Sequence, residues 1–161
     1  MKTKTFLALL LLVIVGCGCS KTGEIKQKIS PTIDKEVETF LSTKISNKGE
    51  KSNYFNRIDK DSILIINSEK QLKEIFNDTT IPIVNFNKYS LLIGQKKMPN
   101  LYYTVKNQFI EKEGTNSSTL FLEVSLSKEG HYPAFSWLYY WGIYPKIDNN
   151  TRISLKINNE N

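Results

Sequence analysis

The chain predicts an α+β domain: mainly antiparallel β-sheet, as a meander, sandwich or barrel-like body, with one or two short helices packed on it. Three observations carry that expectation. From Asp61 onward, short β-branched and aromatic runs recur between turn-forming segments rich in Gly, Asn and Pro. Two earlier stretches instead repeat apolar residues at helical spacing. The gaps between the later strands are too short for crossover helices, which favours antiparallel neighbours.

The first residues stand apart from the fold. Lys2 and Lys4 precede the unbroken apolar run Phe6 to Val15, and the small Gly16 follows. That is the charged, apolar and small-residue order of a secretory signal. The run is about half of what a membrane-spanning helix needs. Ser20 to Ser30 is polar and reads as a tether.

In the body, Ile33, Val37, Phe40 and Leu41 form an i, i+4, i+7, i+8 stripe, predicting a helix within Pro31 to Lys44. Asp34, Glu36 and Glu38 suit its positive N-terminal end. Ser46 to Asn56 reads as a loop. Ile63 to Ile66 predicts a buried strand. Ser68-Glu69-Lys70-Gln71 has the form of a capping box, and Leu72, Ile75 and Phe76 give the following helix one apolar face. Asn77 to Thr80 ends it, and Pro82 prevents continuation.

Strands are then expected at Tyr89 to Gly94, Leu101 to Ile110, Leu120 to Leu126, Ser136 to Tyr144 and Ile153 to Ile157. In the second, Tyr103, Val105 and Phe109 are expected to share a face. In the third, Leu120, Leu122, Val124 and Leu126 point inward, and Glu123 and Ser125 outward.

Composition narrows the function classes. The chain's two cysteines, Cys17 and Cys19, both lie beside the signal, so the body can hold neither a disulfide nor a cysteine zinc site. Net charge is +6. Removing Lys2 and Lys4 leaves 20 basic against 16 acidic residues, or +4, and Arg57 and Arg152 are the only arginines. Lysines scattered singly, with Lys96-Lys97 the densest spot, argue against a nucleic-acid binder. His131 is the single histidine, so no multi-histidine metal centre is expected, and it sits in a turn-like Gly130-His131-Tyr132-Pro133 setting. There is no Gly-x-Ser-x-Gly elbow and no Gly-rich phosphate loop. The acid pairs Asp59 with Asp61 and Glu111 with Glu113 read as surface charge rather than a glycosidase pair. No enzyme activity and no cofactor are expected.

The stretch with most functional content is Tyr132 to Tyr144. On a strand, Phe135, Trp137, Tyr139, Trp141 and Ile143 share one face, and Ser136, Leu138, Tyr140, Gly142 and Tyr144 the other. Both faces are largely apolar, which predicts a central strand covered on both sides. The alternatives are a protein-binding patch, or an exposed aromatic platform for a glycan, built on Phe135, Trp137, Tyr139 and Trp141.

Two resemblances add to this reading. Ile14-Val15-Gly16-Cys17 resembles the lipobox of bacterial lipoproteins. The resemblance implies cleavage after residue 16, a diacylglyceryl group on the Cys17 thiol and acylation of the new amine. Such chains hold a protein on a membrane essentially permanently. The expected organisation is a signal over 1–16, a lipidated N-terminus and tether over 17–30, one domain over 31–157 with its β-rich body from 61, and a frayed end over 158–161. The location implied is the cell envelope, at the outer membrane facing the periplasm. Asp61-Ser62-Ile63 and Asp78-Thr79-Thr80 resemble the O-glycosylation signal of Bacteroidota, making Ser62 and Thr79 candidate acceptors.

Further fragments are Ile65-Ile66-Asn67-Ser68-Glu69, the segment Ile83-Val84-Asn85-Phe86-Asn87-Lys88-Tyr89-Ser90-Leu91-Leu92-Ile93-Gly94, and Tyr144-Pro145-Lys146-Ile147. Together they resemble uncharacterised lipoproteins of the Bacteroidota. More distantly they are similar to the C-terminal domain of the protease-complex subunit PrcB, with Asn85 where its members often carry an acid. The resemblance spans about residues 60 to 157 and implies an accessory or protein-binding role in the envelope, with no catalytic residues.

Overall fold

The computed structural model describes residues 26–45, 60–99, 103–126 and 135–159. Cys17 and Cys19, the loop expected over 46–56, Asp59 and His131 lie outside them. The elements are β1 (Lys28–Ile29), α1 (Lys35–Lys44), β2 (Ser62–Ile66), α2 (Glu69–Phe76), β3 (Tyr89–Met98), β4 (Tyr103–Lys112), β5 (Ser117–Leu126), β6 (Ser136–Pro145) and β7 (Arg152–Asn159). The strands form two sheets, ordered β1-β4-β5-β7 and β2-β3-β6. Mainly antiparallel sheet with two helices is the α+β class expected, as an open two-sheet body rather than a closed barrel.

Two hydrophobic clusters make three layers of the chain. Leu92, Leu138, Tyr140 and Tyr144 of the smaller sheet meet Ile110, Leu120, Leu122 and Val124 of the larger one. On the smaller sheet's other face, Leu91, Ile93, Tyr139 and Ile143 pack with Val37 and Leu41 of α1 and Leu72 of α2. β3 and β6 are therefore apolar on both faces because both faces are covered. The aromatic strand packs against both clusters, with Trp137 and Trp141 only half-buried, and it is not central: β3 is the middle strand and β6 an edge.

One contact sets the spacing inside the sandwich. Gly94 stands opposite Tyr140 in the β3–β6 register. The Tyr140 ring lies where a Cβ on residue 94 would be, and its hydroxyl crosses to donate to the Ser62 carbonyl of β2 at 3.3 Å. One side chain thus spans all three strands of the sheet. Its burial pushes the phenol pKa up, with the nearby Asp61 charge adding to the rise.

A polar knot closes the end of the same sheet. The fully buried Ser90 hydroxyl accepts from Ile147 N at 2.8 Å and donates to Asn67 Oδ1 at 2.5 Å. Asn67 Nδ2 donates to Ile147 O at 2.8 Å. The β6–β7 connection is thereby tied to the β2–α2 junction, and the buried polar atoms are satisfied within the knot.

The helices begin and end as their caps dictate. Asp34 accepts from Glu36 N and Val37 N, so α1 starts after Ile33. Ile33, expected on the buried stripe, lies ahead of the cap and is 84% exposed. Ser68 caps α2 by accepting from Gln71 N, while Gln71 Oε1 reaches back to Asn67 N, one residue beyond the usual capping-box partner. Asn77 ends α2 in the left-handed conformation at φ 48°, and Asp78 N bonds to Lys73 O.

Four features depart from expectation. Lys28–Ile29, placed in the tether, forms β1 against Glu111 and Ile110 of β4, so the folded body begins before residue 31. β3 runs four residues past Gly94 to Met98: Gln95 is buried and donates to Lys60 O, and Lys96 is ion-paired to Asp61, so polar residues continue the strand. A bulge between Val105 and Asn107 shifts the alternation of β4. Phe109 therefore lies on the opposite face from Tyr103 and Val105, where it is buried against Phe121 at 4.9 Å. Finally, β7 pairs with β5 in parallel, not in a meander. The intervening β6 lies in the opposite sheet, so a strand does the work of a crossover helix.

Two outcomes test this account. Gly94→Ala forces the buried Tyr140 ring aside and should cost about 1–3 kcal/mol in denaturant unfolding, as overpacking does. An exposed Ser→Ala control should lie within about 0.5 kcal/mol of wild type. Asp61 has its burial, which raises the pKa, outweighed by hydrogen bonds from Lys96 and the Lys97 amide, so the carboxyl is held below its ordinary value. Its folded pKa lies below the unfolded one, so its contribution is complete above about pH 4 and disappears as the pH falls through the depressed value. Asp61→Asn should flatten the acid limb of Tm against pH, by no more than about 1 kcal/mol because the pair is partly exposed.

Candidate functional site

The β6 stripe is divided. Tyr139 is fully buried and Ile143 nearly so, both in the core shared with the helices. Tyr139 is therefore a core residue and not part of an accessible platform. Trp137 and Trp141 are half-buried at the margin of that core, and Phe135 is 71% exposed. Sequence alternation finds which residues share a face. It does not show where along the strand the helices stop covering it.

A cation sits on the uncovered part. Lys97 stands opposite Trp137 in the register, and its ammonium lies 5.1 Å from the Phe135 ring centroid and 6.0 Å from that of Trp137. Asp61 anchors this corner: one carboxylate oxygen accepts from Lys97 N at 2.9 Å, and the other pairs with Lys96. Among the described residues no carboxylate pairs with the Lys97 ammonium. Lys96-Lys97, read only as a dense spot of charge, thus divides into a structural pair with Asp61 and a cation lying on an aromatic surface.

Beside β6 lies a groove of about 470 Å³. Its floor is Tyr139 to Trp141, the bulged segment Thr104 to Gln108 of β4 makes one wall, and Pro31 and Ile33 make the other. The chain crosses between the sheets here: Thr32 N donates to Ile143 O at 2.7 Å, and Gln108 Nε2 donates to Trp141 O. Gly142 is required at this crossing, since a Cβ would meet Gln108 Nε2 at 2.8 Å and the Tyr144 ring at 2.9 Å. The β4 bulge and the route of Ser30 to Thr32 create the groove, and neither has a periodic signature in the sequence.

The glycosylation candidates separate. The Ser62 hydroxyl is buried within β2, so the folded domain does not present it to a transferase. Thr79 is exposed just after α2, beside Asp78, whose carboxylate pairs with Lys44 at 2.6 Å. Hydrogen bonds from Lys44 and the Thr80 amide hold Asp78 below the ordinary carboxylate range. Glu113 is likewise lowered, chiefly by the Thr119 hydroxyl, which makes it a surface anchor for the β4–β5 turn. Among the described residues, no three His, Cys, Asp or Glu side chains come together as a metal site. No helix among them is long and apolar enough to cross a membrane.

Compared with protein-family models, with curated proteins and with solved structures, the chain matches none.

Proposed function

We propose that the chain is a lipoprotein of the bacterial cell envelope, anchored through Cys17 at the outer membrane and facing the periplasm, whose domain is a non-catalytic module that binds another envelope protein. The observation that carries the binding role is the surface at the start of β6: Phe135 and Trp137 beneath a Lys97 ammonium that forms no ion pair with a carboxylate among the described residues. Farther along β6, Tyr139 and Ile143 are buried on this face, and Trp141 is half-buried. The exposed Phe135 and half-buried Trp137 are of the aromatic type enriched at interfaces. The Lys97 charge beside exposed aromatics favours a partner carrying an acidic group near an apolar one. The fragments that resemble the PrcB C-terminal domain imply the same kind of role.

A second reading has its own observation. Trp141 faces a groove whose wall carries Thr104, Asn107 and Gln108, and an aromatic ring among polar side chains suits a glycan. This reading needs Trp141, whereas the protein-binding reading needs Phe135 and Trp137.

Two experiments follow. The intact mass of protein purified from membranes should correspond to a chain beginning at Cys17 plus acyl groups. Cys17→Ser should lose that mass and leave the membrane fraction. An unmodified mass with cleavage elsewhere would overturn the anchor. For binding, envelope proteins crosslinked to the wild-type domain are compared with those crosslinked to Phe135→Ser and Lys97→Glu, each first shown to keep the wild-type Tm. Losing an aromatic anchor costs about 2 kcal/mol or more, so capture of a specific partner should fall at least about tenfold. Capture unaffected by either variant would contradict the assignment, and a tryptophan fluorescence shift with oligosaccharides that Trp141→Phe abolishes would favour the glycan reading.

A further inference from the structure

The strands that border the two sheets do not have equivalent edges. β1 has two residues and β2 five, and β6 is bridged by Thr32 at Ile143. β7 is longer, running eight residues over Arg152–Asn159, and it pairs with β5 without a register shift. Among the described residues no strand lies on its other side. A long edge free of proline and bulges is a template for another chain, and natural edges usually carry a device against such pairing.

The backbone identifies the residues that offer the template. Arg152 N donates to Asn116 O at 3.0 Å, so Arg152 directs its amide toward β5. Peptide groups alternate sides along a strand, so Ser154 and Lys156 do the same. Ile153, Leu155 and Ile157 turn their N–H and C=O groups to the free edge. Their side chains are half-covered and line, with Ile63, a groove of about 540 Å³. Lys156, a charge that could guard the edge, is drawn the other way: its ammonium lies 5.4 Å from the ring centroid of Phe121 on β5.

The run Arg152-Ile153-Ser154-Leu155-Lys156-Ile157-Asn158 is complementary to itself in antiparallel register. We infer that β7 pairs with β7 of a second copy of this chain about a two-fold axis at Leu155. Leu155 then faces the partner's Leu155, and Ile153 faces the partner's Ile157. These are the residues whose outward peptide groups can exchange both bonds of a hydrogen-bonded pair. On the other face Ser154 meets the partner's Lys156 and Arg152 the partner's Asn158, so no like charges are opposed. An axis at Lys156 would oppose two lysines, and one at Ser154 would set Arg152 against the partner's Lys156. Axes at Ile153 or Ile157 would leave part of the strand unpaired. An isologous pair consumes this edge on both copies, so assembly through it stops at two. The interface lies on the larger sheet and does not depend on the binding proposed for β6.

The test is sedimentation equilibrium of the full chain in detergent over a concentration series, beside amide hydrogen exchange. A monomer–dimer equilibrium is expected. Dimer formation should slow exchange at Ile153, Leu155 and Ile157 by at least about tenfold, while Ser154 and Lys156, already bonded to β5, change little. Ser154→Lys and Ser154→Glu alter an exposed position, and each acts twice per dimer, opposite the partner's Lys156. Ser154→Lys should weaken dimerisation severalfold and Ser154→Glu should strengthen it, with Tm of the dilute monomer unchanged in both. A monomer at every concentration would overturn the proposal. Protection of the β7 amides only in mixtures with other envelope proteins would also overturn it, giving the edge to a foreign extended chain. A dimer in which those amides stay unprotected, or which both variants affect alike, would place the interface elsewhere.

Discussion

The domain depends on two adjacent strands being covered on both faces, and the contact that permits this is the Tyr140 ring against Gly94. A side chain at residue 94 would lift the ring away from β3 and with it the bond to Ser62 O. The larger sheet could not then approach as closely, because Tyr140 belongs to the same cluster as Leu120, Leu122 and Val124. Interiors packed at crystal-like density tolerate little such displacement. With no cysteine in the body, this core and the polar knot around Ser90 are what hold the layers together.

The edges of the molecule follow from that arrangement. The smaller sheet has three strands and the larger has four, so the layers cannot cover one another completely. On one side the gap is crossed by the Ser30 to Thr32 segment and the Gln108 side chain, which leaves the groove beside Trp141. On the other side, β7 presents Ile153, Leu155 and Ile157 only half-covered. The uncovered aromatics of β6 have a similar origin, since the helices pack over Tyr139 and Ile143 but not over Phe135. The proposed binding surface is thus where the layers stop, not a set of residues added to them.

Much of the fold was legible because it rests on periodicity. The alternation Leu120, Leu122, Val124 places β5 correctly, and the Ser68 cap with Leu72 and Phe76 places α2. The features that escaped depend on partners distant in the chain. Gln95 and Lys96 look like the end of a strand until Lys60 and Asp61 are seen beside them. The bulge after Val105 puts Phe109 on the opposite face with no turn residue to announce it. The parallel β5–β7 pair requires knowing that β6 lies in the other sheet, which no local pattern encodes. For the site, alternation grouped Trp137, Tyr139 and Trp141 on one face, while Phe135 lies just ahead of the strand. Only tertiary packing divides Tyr139 from the rest, and only it joins Lys97 to Phe135.

The most direct test of the divided stripe uses the only two tryptophans in the chain, Trp137 and Trp141. In Trp141→Phe and Trp137→Phe, the remaining indole reports on one position at a time, through its emission maximum and its quenching by acrylamide. Half-burial of both predicts emission between that of buried and fully solvated indole, with substantial quenching in each variant, while the fully buried Tyr139 between them stays protected from oxidative labelling. Blue-shifted emission with negligible quenching at Trp137 would mean that β6 is core along its whole length, and the proposed binding surface would be contradicted.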